Sequence, residues 1–166
     1  MTNRQLILLT ILIFIGSLSY SQNTKVILNS VNITLPGPGE WKQTAKNETG
    51  GQWMFKNENS KMTVSLSARH KSKFDFYKDT ISDVRLVTAF YKWDADYWAS
   101  DKKNEVTQIK IDKDKKYVAW RLKTPQGSNL ILNGLKADNL IGIQIPDDSK
   151  FDDENKIKFL EKIYLN

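Results

Sequence analysis

Residues 106–145 read VTQIKIDKDKKYVAWRLKTPQGSNLILNGLKADNLIGIQI. Four short stretches with the apolar pattern of strands stand out, namely 106–111, 117–123, 130–136 and 140–145. The segments between them are short and rich in turn-forming residues. A parallel strand pair needs a crossover of roughly a dozen residues or more, so strands connected this closely run antiparallel. The sequence therefore predicts an antiparallel meander of four strands in the second half of the chain.

A hairpin is predicted upstream of this meander. Trp53 and Phe55 lie on one face of a strand, residues 57–60 form a turn, and a strict alternation follows over residues 62–68. In that alternation the apolar residues are Met62, Val64, Leu66 and Ala68. A shorter alternation at residues 31–35 predicts a first strand, which the prolines and glycines of residues 36–39 end.

Two segments have helical periodicity instead. Apolar residues recur at spacings of three and four along the first of them, at Phe74, Tyr77, Ile81, Val84, Thr88, Tyr91, Ala95 and Trp98. This pattern predicts a long amphipathic helix over residues 75–98. A second helix is predicted after Pro146, because acidic residues at 152–154 precede an apolar stripe and several lysines, as the helix dipole favours.

The order of these elements resembles the PsbP/Mog1-like α/β/α sandwich. Residues 33–36, Ile-Thr-Leu-Pro, followed by Trp41, are similar to the opening of that family, and residues 140–145 with Phe159, Leu160 and Ile163 are similar to its closing strand and helix. The resemblance implies an α+β fold, with an antiparallel sheet of about six or seven strands flanked by a long central helix and a C-terminal helix. It also implies a non-catalytic function, and it assigns no functional residue to this chain.

The first 21 residues have the three parts of a secretory signal peptide. Arg4 precedes the apolar run 6–15, and small residues at Ser19 and Ser21 place the cleavage site before Gln22. The apolar run is shorter than the roughly 20 residues of a spanning helix, although an uncleaved anchor stays open. We therefore expect residues 1–21 to be a signal peptide and residues 22–166 to be a single domain, periplasmic or secreted, with no transmembrane segment after cleavage.

Composition excludes several function classes. The chain has no cysteine and one histidine, His70, so a disulfide framework, Cys-His catalysis and a zinc site built on cysteines or several histidines are ruled out. The net charge is +6, but the basic residues are interspersed with acidic ones, which argues against a nucleic-acid partner. The acidic residues between Asp147 and Glu154 lack EF-hand spacing and fit a helix N-terminus better than a calcium site. We expect no cofactor and no metal.

Aromatic residues supply the candidate binding surface. Trp120 and Trp53 alternate within predicted strands and are assigned to the core. The residues assigned to a candidate surface are Trp41, Trp93, Tyr97 and Trp98. Exposed aromatic rings near basic side chains favour sugars, peptides or anionic glycans. The leading hypothesis is therefore an exported, non-enzymatic domain that binds a protein or cell-envelope partner through an aromatic and basic surface.

Two other functions stay open. Asp94 and Asp96 lie among these aromatic residues, and two carboxylates across a cleft, with Glu105 as a further acid, would suit a small envelope polysaccharide hydrolase. Residues two apart on a helix point in different directions, however, so this pair faces one site only if the helix has ended. The other possibility is a stress protein or an immunity protein that blocks a toxin. The partner and the oligomeric state are not determined by the sequence.

Overall fold

A computed structural model describes residues 23–147 and 152–166. Over these residues the chain forms nine strands, two α-helices and one 3-10 turn, Lys71–Lys73. The strands are β1 (Thr24–Leu28), β2 (Val31–Leu35), β3 (Trp41–Asn47), β4 (Gln52–Asn57), β5 (Thr63–His70), β6 (Glu105–Asp112), β7 (Tyr117–Thr124), β8 (Gly127–Lys136) and β9 (Asn139–Pro146). The helices are α1 (Asp83–Ala99) and α2 (Asp153–Leu165). The predicted signal peptide lies outside the described residues, and no helix within them is long and apolar enough to cross a membrane.

Seven strands form one antiparallel sheet in the order β3-β4-β5-β9-β8-β7-β6, and β1 pairs with β2 in a separate hairpin. The predicted meander is confirmed as β6 to β9, and the predicted hairpin as β4 and β5. The two parts join where β5 pairs with β9. The predicted fold class, an antiparallel sheet with a central helix and a C-terminal helix, is confirmed.

The sheet has a different cover on each face. On one face, α2 and the β1–β2 hairpin bury the largest core cluster, which includes Leu35, Leu66, Ile143 and Leu160. On the other face, α1 packs mainly against β6, β7 and β8. The residue that anchors this second layer is Trp120, whose side chain is fully buried beneath Tyr91 and Trp98 of α1. The fold is therefore a sheet between two helical layers.

The predicted start of the long helix was wrong. The helix begins at Asp83 rather than at residue 75, because Ser82 has the extended backbone of an N-cap residue. Upstream of it, Phe74 packs against Phe90 of α1 and Leu140 of β9. The three- and four-residue spacing of apolar residues therefore continues upstream of the helix. There the residues belong to an irregular segment, and they are apolar because they pack against α1 and the sheet.

Two strands were not predicted from the sequence. In β3 only Trp41 is buried, so the strand carries no apolar alternation. It is an edge strand with a bulge between Gln43 and Ala45, and the other edge, β6, has a bulge between Gln108 and Lys110. Bulges and lysines at edges discourage pairing with another chain. The strand β1 is short and pairs only with β2.

A carboxylate network fixes α2 to the sheet. Glu161 of α2 accepts hydrogen bonds from Lys110 Nζ at 3.0 Å and from Lys115 Nζ at 2.7 Å, and also from the Tyr117 hydroxyl. Burial on its own would raise the pKa of Glu161, but these donors outweigh it and lower the pKa to about 2. The network therefore keeps α2 in register with β6 and β7 at neutral pH.

Candidate functional site: a groove beside α1

An open groove of about 400 Å³ lies on the face of the sheet that carries α1. Because α1 packs mainly over β6, β7 and β8, the helices of residues 23–147 and 152–166 leave most of the neighbouring part of that face, on β9, β5 and β4, uncovered. The C-terminal half of α1 forms one wall of the groove, and the outward faces of β5 and β9 form its floor. The order of the strands in the sheet, together with the position of α1 over one half of it, therefore creates the site.

The floor of the groove is polar and made of small side chains. In the β5–β9 register Ser65 lies opposite Gln144, and Ser67 lies opposite Gly142. Gln52 of β4 extends the floor and donates a hydrogen bond from its Nε2 to Ser65 Oγ at 2.9 Å. The opposite faces of β5 and β9 carry the apolar residues of the main core. The alternation of side chains along β5 and β9 therefore places their hydroxyl and amide groups on one surface of the sheet.

The wall of the groove is aromatic. Trp93, Tyr97 and Trp98 line it from α1, and Phe74 and Phe90 also contribute to the lining of the groove. Trp93 is 48% exposed and Tyr97 is 69% exposed, so both rings present much of their surface to solvent. The Trp93 ring is held in place by an edge-to-face contact with Phe74 at 5.3 Å and a stacked contact with Phe90 at 6.1 Å. These contacts pre-orient the wall.

The acidic group that lines the groove is Asp94, which is half-buried. Asn133 Nδ2 donates to Asp94 Oδ2 at 3.2 Å, and Asn133 Oδ1 in turn accepts from the buried Trp120 indole. Burial raises the pKa of Asp94, while hydrogen bonds from Asn133 and Trp98 act in the opposite direction. Neutral groups therefore hold this carboxylate, and no described residue forms an ion pair with it.

The basic group that lines the groove is Arg69 of β5. Its Nε donates to the Gly50 carbonyl at 3.1 Å, and its Nη2 donates to the same oxygen. Arg69 lies two strands away from Asn133, which corresponds to about 10 Å across the sheet. The groove therefore carries one charge of each sign at separate positions.

The structure brings three of the four predicted surface residues together. Trp93, Tyr97 and Trp98 line the groove, but Trp41 is 4% exposed and lies in the core cluster on the opposite face of the sheet. Its indole Nε1 donates to the Pro36 carbonyl at 3.1 Å. Trp41 is therefore a packing residue of β3 and is not part of the groove. The assignment of Trp53 and Trp120 to the core is confirmed.

The three candidate catalytic carboxylates do not converge. Asp94 lines the groove, Asp96 is exposed on α1, and Glu105 is paired with Lys123 at 3.2 Å on the edge strand β6. His70 is exposed and accepts a hydrogen bond from the Ser72 backbone. Within residues 23–147 and 152–166, no group of three or more acidic or histidine side chains is arranged to hold a metal ion.

The acidic segment before α2 has structural partners. Asp147 accepts from Arg121 and Lys156, and Asp152 caps α2 by accepting from the Asn155 backbone at 2.8 Å. Asp148, which belongs to the same segment, lies outside the described residues. Asp152, Asp153 and Glu154 fit the predicted role at a helix N-terminus, whereas Asp147 forms ion pairs with Arg121 and Lys156.

Sequence reasoning missed the polar floor of the groove. In the sequence pattern Ser65 and Ser67 are only the polar positions of an alternating strand, and Gly142 and Gln144 are not singled out. A signal was present, because residues 117–120 of β7 are apolar on both faces, whereas β5 and residues 142–144 of β9 are apolar on one face. In a sheet with helices on both sides, strands with one polar face mark the part that a helix leaves open.

Comparison with known proteins yields matches among solved structures. No family model and no curated protein matches the chain. The solution structure of cyanobacterial PsbP (CyanoP) from Synechocystis sp. PCC 6803 is similar to it, with a TM-score of 0.55 and 15% sequence identity, over 89% of this chain and 92% of that one. At this identity the match establishes the fold and no function. The chain has a PsbP-like α+β fold.

Proposed function

We propose that this chain is an exported, non-enzymatic domain that binds a protein or cell-envelope partner in the groove beside α1. The observation that carries the proposal is the pairing of an exposed aromatic wall with a polar floor around a volume of about 400 Å³. Concave sites with apolar walls and a few placed polar groups are the usual form of ligand sites. Export is supported by the signal-peptide features of residues 1–21.

The exposed rings support a binding function for a physical reason. Trp93 and Tyr97 lie one helical turn apart and both leave large apolar areas in water. Exposed apolar patches next to polar groups are typical of interaction sites, and aromatic residues are enriched there. The partner of an immunity protein would be one case of such a ligand.

The arrangement favours binding over carboxylate catalysis. A glycosidase of the usual kind needs two carboxyl groups about 5 to 9.5 Å apart across the cleft. Of the described carboxylates Asp94 lines the groove, while Asp96 and Glu105 point to solvent. A single carboxylate held by Asn133 is suited to accepting hydrogen bonds from a ligand.

Affinity recovery from envelope extract tests the proposal. The parent protein and a Trp93→Ala/Tyr97→Ala variant serve as parallel baits. Trp98 is left intact because it packs against the core around Trp120. We expect the parent to recover a specific protein or glycan that the double variant fails to recover.

The matched control is Ile27→Ala, which removes a 72% exposed apolar side chain from the hairpin on the opposite face. This control is expected to recover the partner as the parent does. Equal recovery by the parent and the double variant, or loss with the Ile27 control alone, would overturn the proposal.

A further inference from the structure

We infer that the ligand of the groove is a glycan segment containing an amino sugar with a free ammonium group, which pairs with Asp94. This inference rests on the proposed function, because it names the chemistry of the ligand for the same site. It follows from the charge of the wall, the chemistry of the floor and the volume of the groove.

The charge at Asp94 is the first step. Its carboxylate faces the groove, is half-buried, and is held by neutral donors from Asn133 and Trp98. A carboxylate withdrawn from water without a cation beside it carries an uncompensated desolvation cost. A ligand ammonium group at this position would offset that cost. The part of the groove at Asp94 and Asn133, two strands across the sheet from Arg69, is therefore complementary to a cation.

The aromatic wall adds to this complementarity. Trp93 directly precedes Asp94 in α1, Tyr97 follows Asp94 by about one turn, and all three residues line the groove. Faces of tryptophan and tyrosine rings attract ammonium groups. They also provide apolar planes against which the C–H groups of a sugar ring can pack.

The floor distinguishes a sugar from a lysine side chain. The floor residues Ser65, Ser67, Gln52 and Gln144 present hydroxyl and amide groups. A sugar offers hydroxyl groups that can exchange hydrogen bonds with these side chains, whereas the methylene groups of a lysine side chain offer none. Polar groups in such number therefore match a polyol.

The sheet topology argues against a peptide bound as an added strand. Strand addition requires a free edge. All three floor strands are interior, since β4 pairs with β3 and β5, β5 pairs with β4 and β9, and β9 pairs with β5 and β8. A volume of about 400 Å³ lies at the lower end of the roughly 300–1,000 Å³ of small-ligand sites, which suits a short glycan segment.

Isothermal titration calorimetry of the full chain at pH 6, where the amino groups of linked glucosamine units are mostly protonated, tests the inference with three defined ligands: a glucosamine tetramer, its fully N-acetylated counterpart and tetralysine. We expect the glucosamine tetramer to bind at least tenfold more tightly than either of the others. N-acetylation removes the ammonium charge and keeps the ring and its hydroxyl groups, so this contrast isolates the charge.

Two isosteric variants locate the effect. Asp94→Asn keeps the shape and an acceptor for Asn133, and we expect it to bind the glucosamine tetramer at least tenfold more weakly than the parent and to lose the preference over the N-acetylated form. Asp96→Asn removes an exposed carboxylate two residues away on α1 and is expected to change neither affinity by more than about twofold. Should Asp94→Asn fail to fold, the difference in affinity of the parent protein for the glucosamine tetramer and its N-acetylated counterpart still tests whether the ammonium charge contributes to binding.

The failures of the two proposals are distinguishable. Equal binding of both glycan tetramers, tighter binding of tetralysine, or no effect of Asp94→Asn would overturn the amino-sugar inference and leave the groove as a binding site. If no tetramer binds while the groove-dependent partner is still recovered from extract, the inference alone fails. If the extract also yields no groove-dependent partner, both fail.

Discussion

Replacing Trp120 by alanine is expected to lower the free energy of unfolding by about 3–5 kcal/mol. The Trp120 side chain is 0% exposed and packs edge-to-face on Tyr91, with ring centroids 5.8 Å apart. Its indole also donates to Asn133, whose Oδ1 would lose this partner in a buried position. The substitution therefore removes both a large packing contribution and a buried hydrogen bond.

The matched comparison is Trp93→Ala in α1. Trp93 is 48% exposed and keeps aromatic contacts with Phe74 and Phe90, so the same substitution is expected to cost about 1–2 kcal/mol. Urea denaturation of the two variants at pH 7 measures the difference. Similar losses for both, or a larger loss for Trp93, would contradict the division into a packing tryptophan and a groove tryptophan.

Replacing Asp147 by alanine is expected to destabilise the protein by about 3–5 kcal/mol, because it breaks a buried ion pair. The side chains of Asp147 and Lys156 are 9% and 7% exposed, and their charged atoms are 2.5 Å apart. Asp147 also accepts from Arg121 at 2.6 Å and from Ser128 at 3.0 Å. Without it, the Lys156 ammonium of α2 is buried with no counterion.

Acid denaturation and two variants check this interpretation. Burial alone would raise the pKa of Asp147, but bonds from Lys156 and Arg121 bring it below its ordinary value of 3.8. Its contribution to stability is therefore present above that value and is lost as the pH falls further. Asp147→Leu/Lys156→Met is expected to recover most of the loss, since no buried charge stays unpaired.

The control for this pair is Asp153→Ala, because Asp153 also contacts Arg121 but its side chain is 50% exposed. It is expected to cost about 1 kcal/mol or less. If Asp147→Ala were as mild as this control over the whole pH range, Asp147 would not stabilise the attachment of α2.

Local sequence patterns predict the fold where one face of an element is buried. The alternation around Val64 and Leu66 and the meander from residue 106 specify strands. Apolar residues at every second position determine which face of a strand is buried. The edge strand β3 was not predicted, because its residues after Trp41 are exposed and show no alternation of apolar and polar side chains. The helix start at Asp83 depended on how Phe74 packs in three dimensions, which spacing alone does not reveal.

The candidate site was predictable in part for a similar reason. Trp93, Tyr97 and Trp98 are neighbours on one helix, so their proximity follows from helical geometry. Trp41 looked equivalent in sequence, but the sheet places it on the other side of the molecule. The floor of the groove joins β4, β5 and β9, whose neighbourhood depends on the pairing of β5 with β9 across a large sequence separation.

Site-specific photocrosslinking in envelope extract tests the groove as the binding site most directly. One protein carries a photoreactive phenylalanine analogue in place of Tyr97, which is 69% exposed on the groove wall. A second carries it in place of Ile27, which is 72% exposed on the opposite face. We expect a specific adduct from position 97 and none from position 27. An adduct from position 27 with none from position 97 would contradict the proposal that the partner binds beside α1.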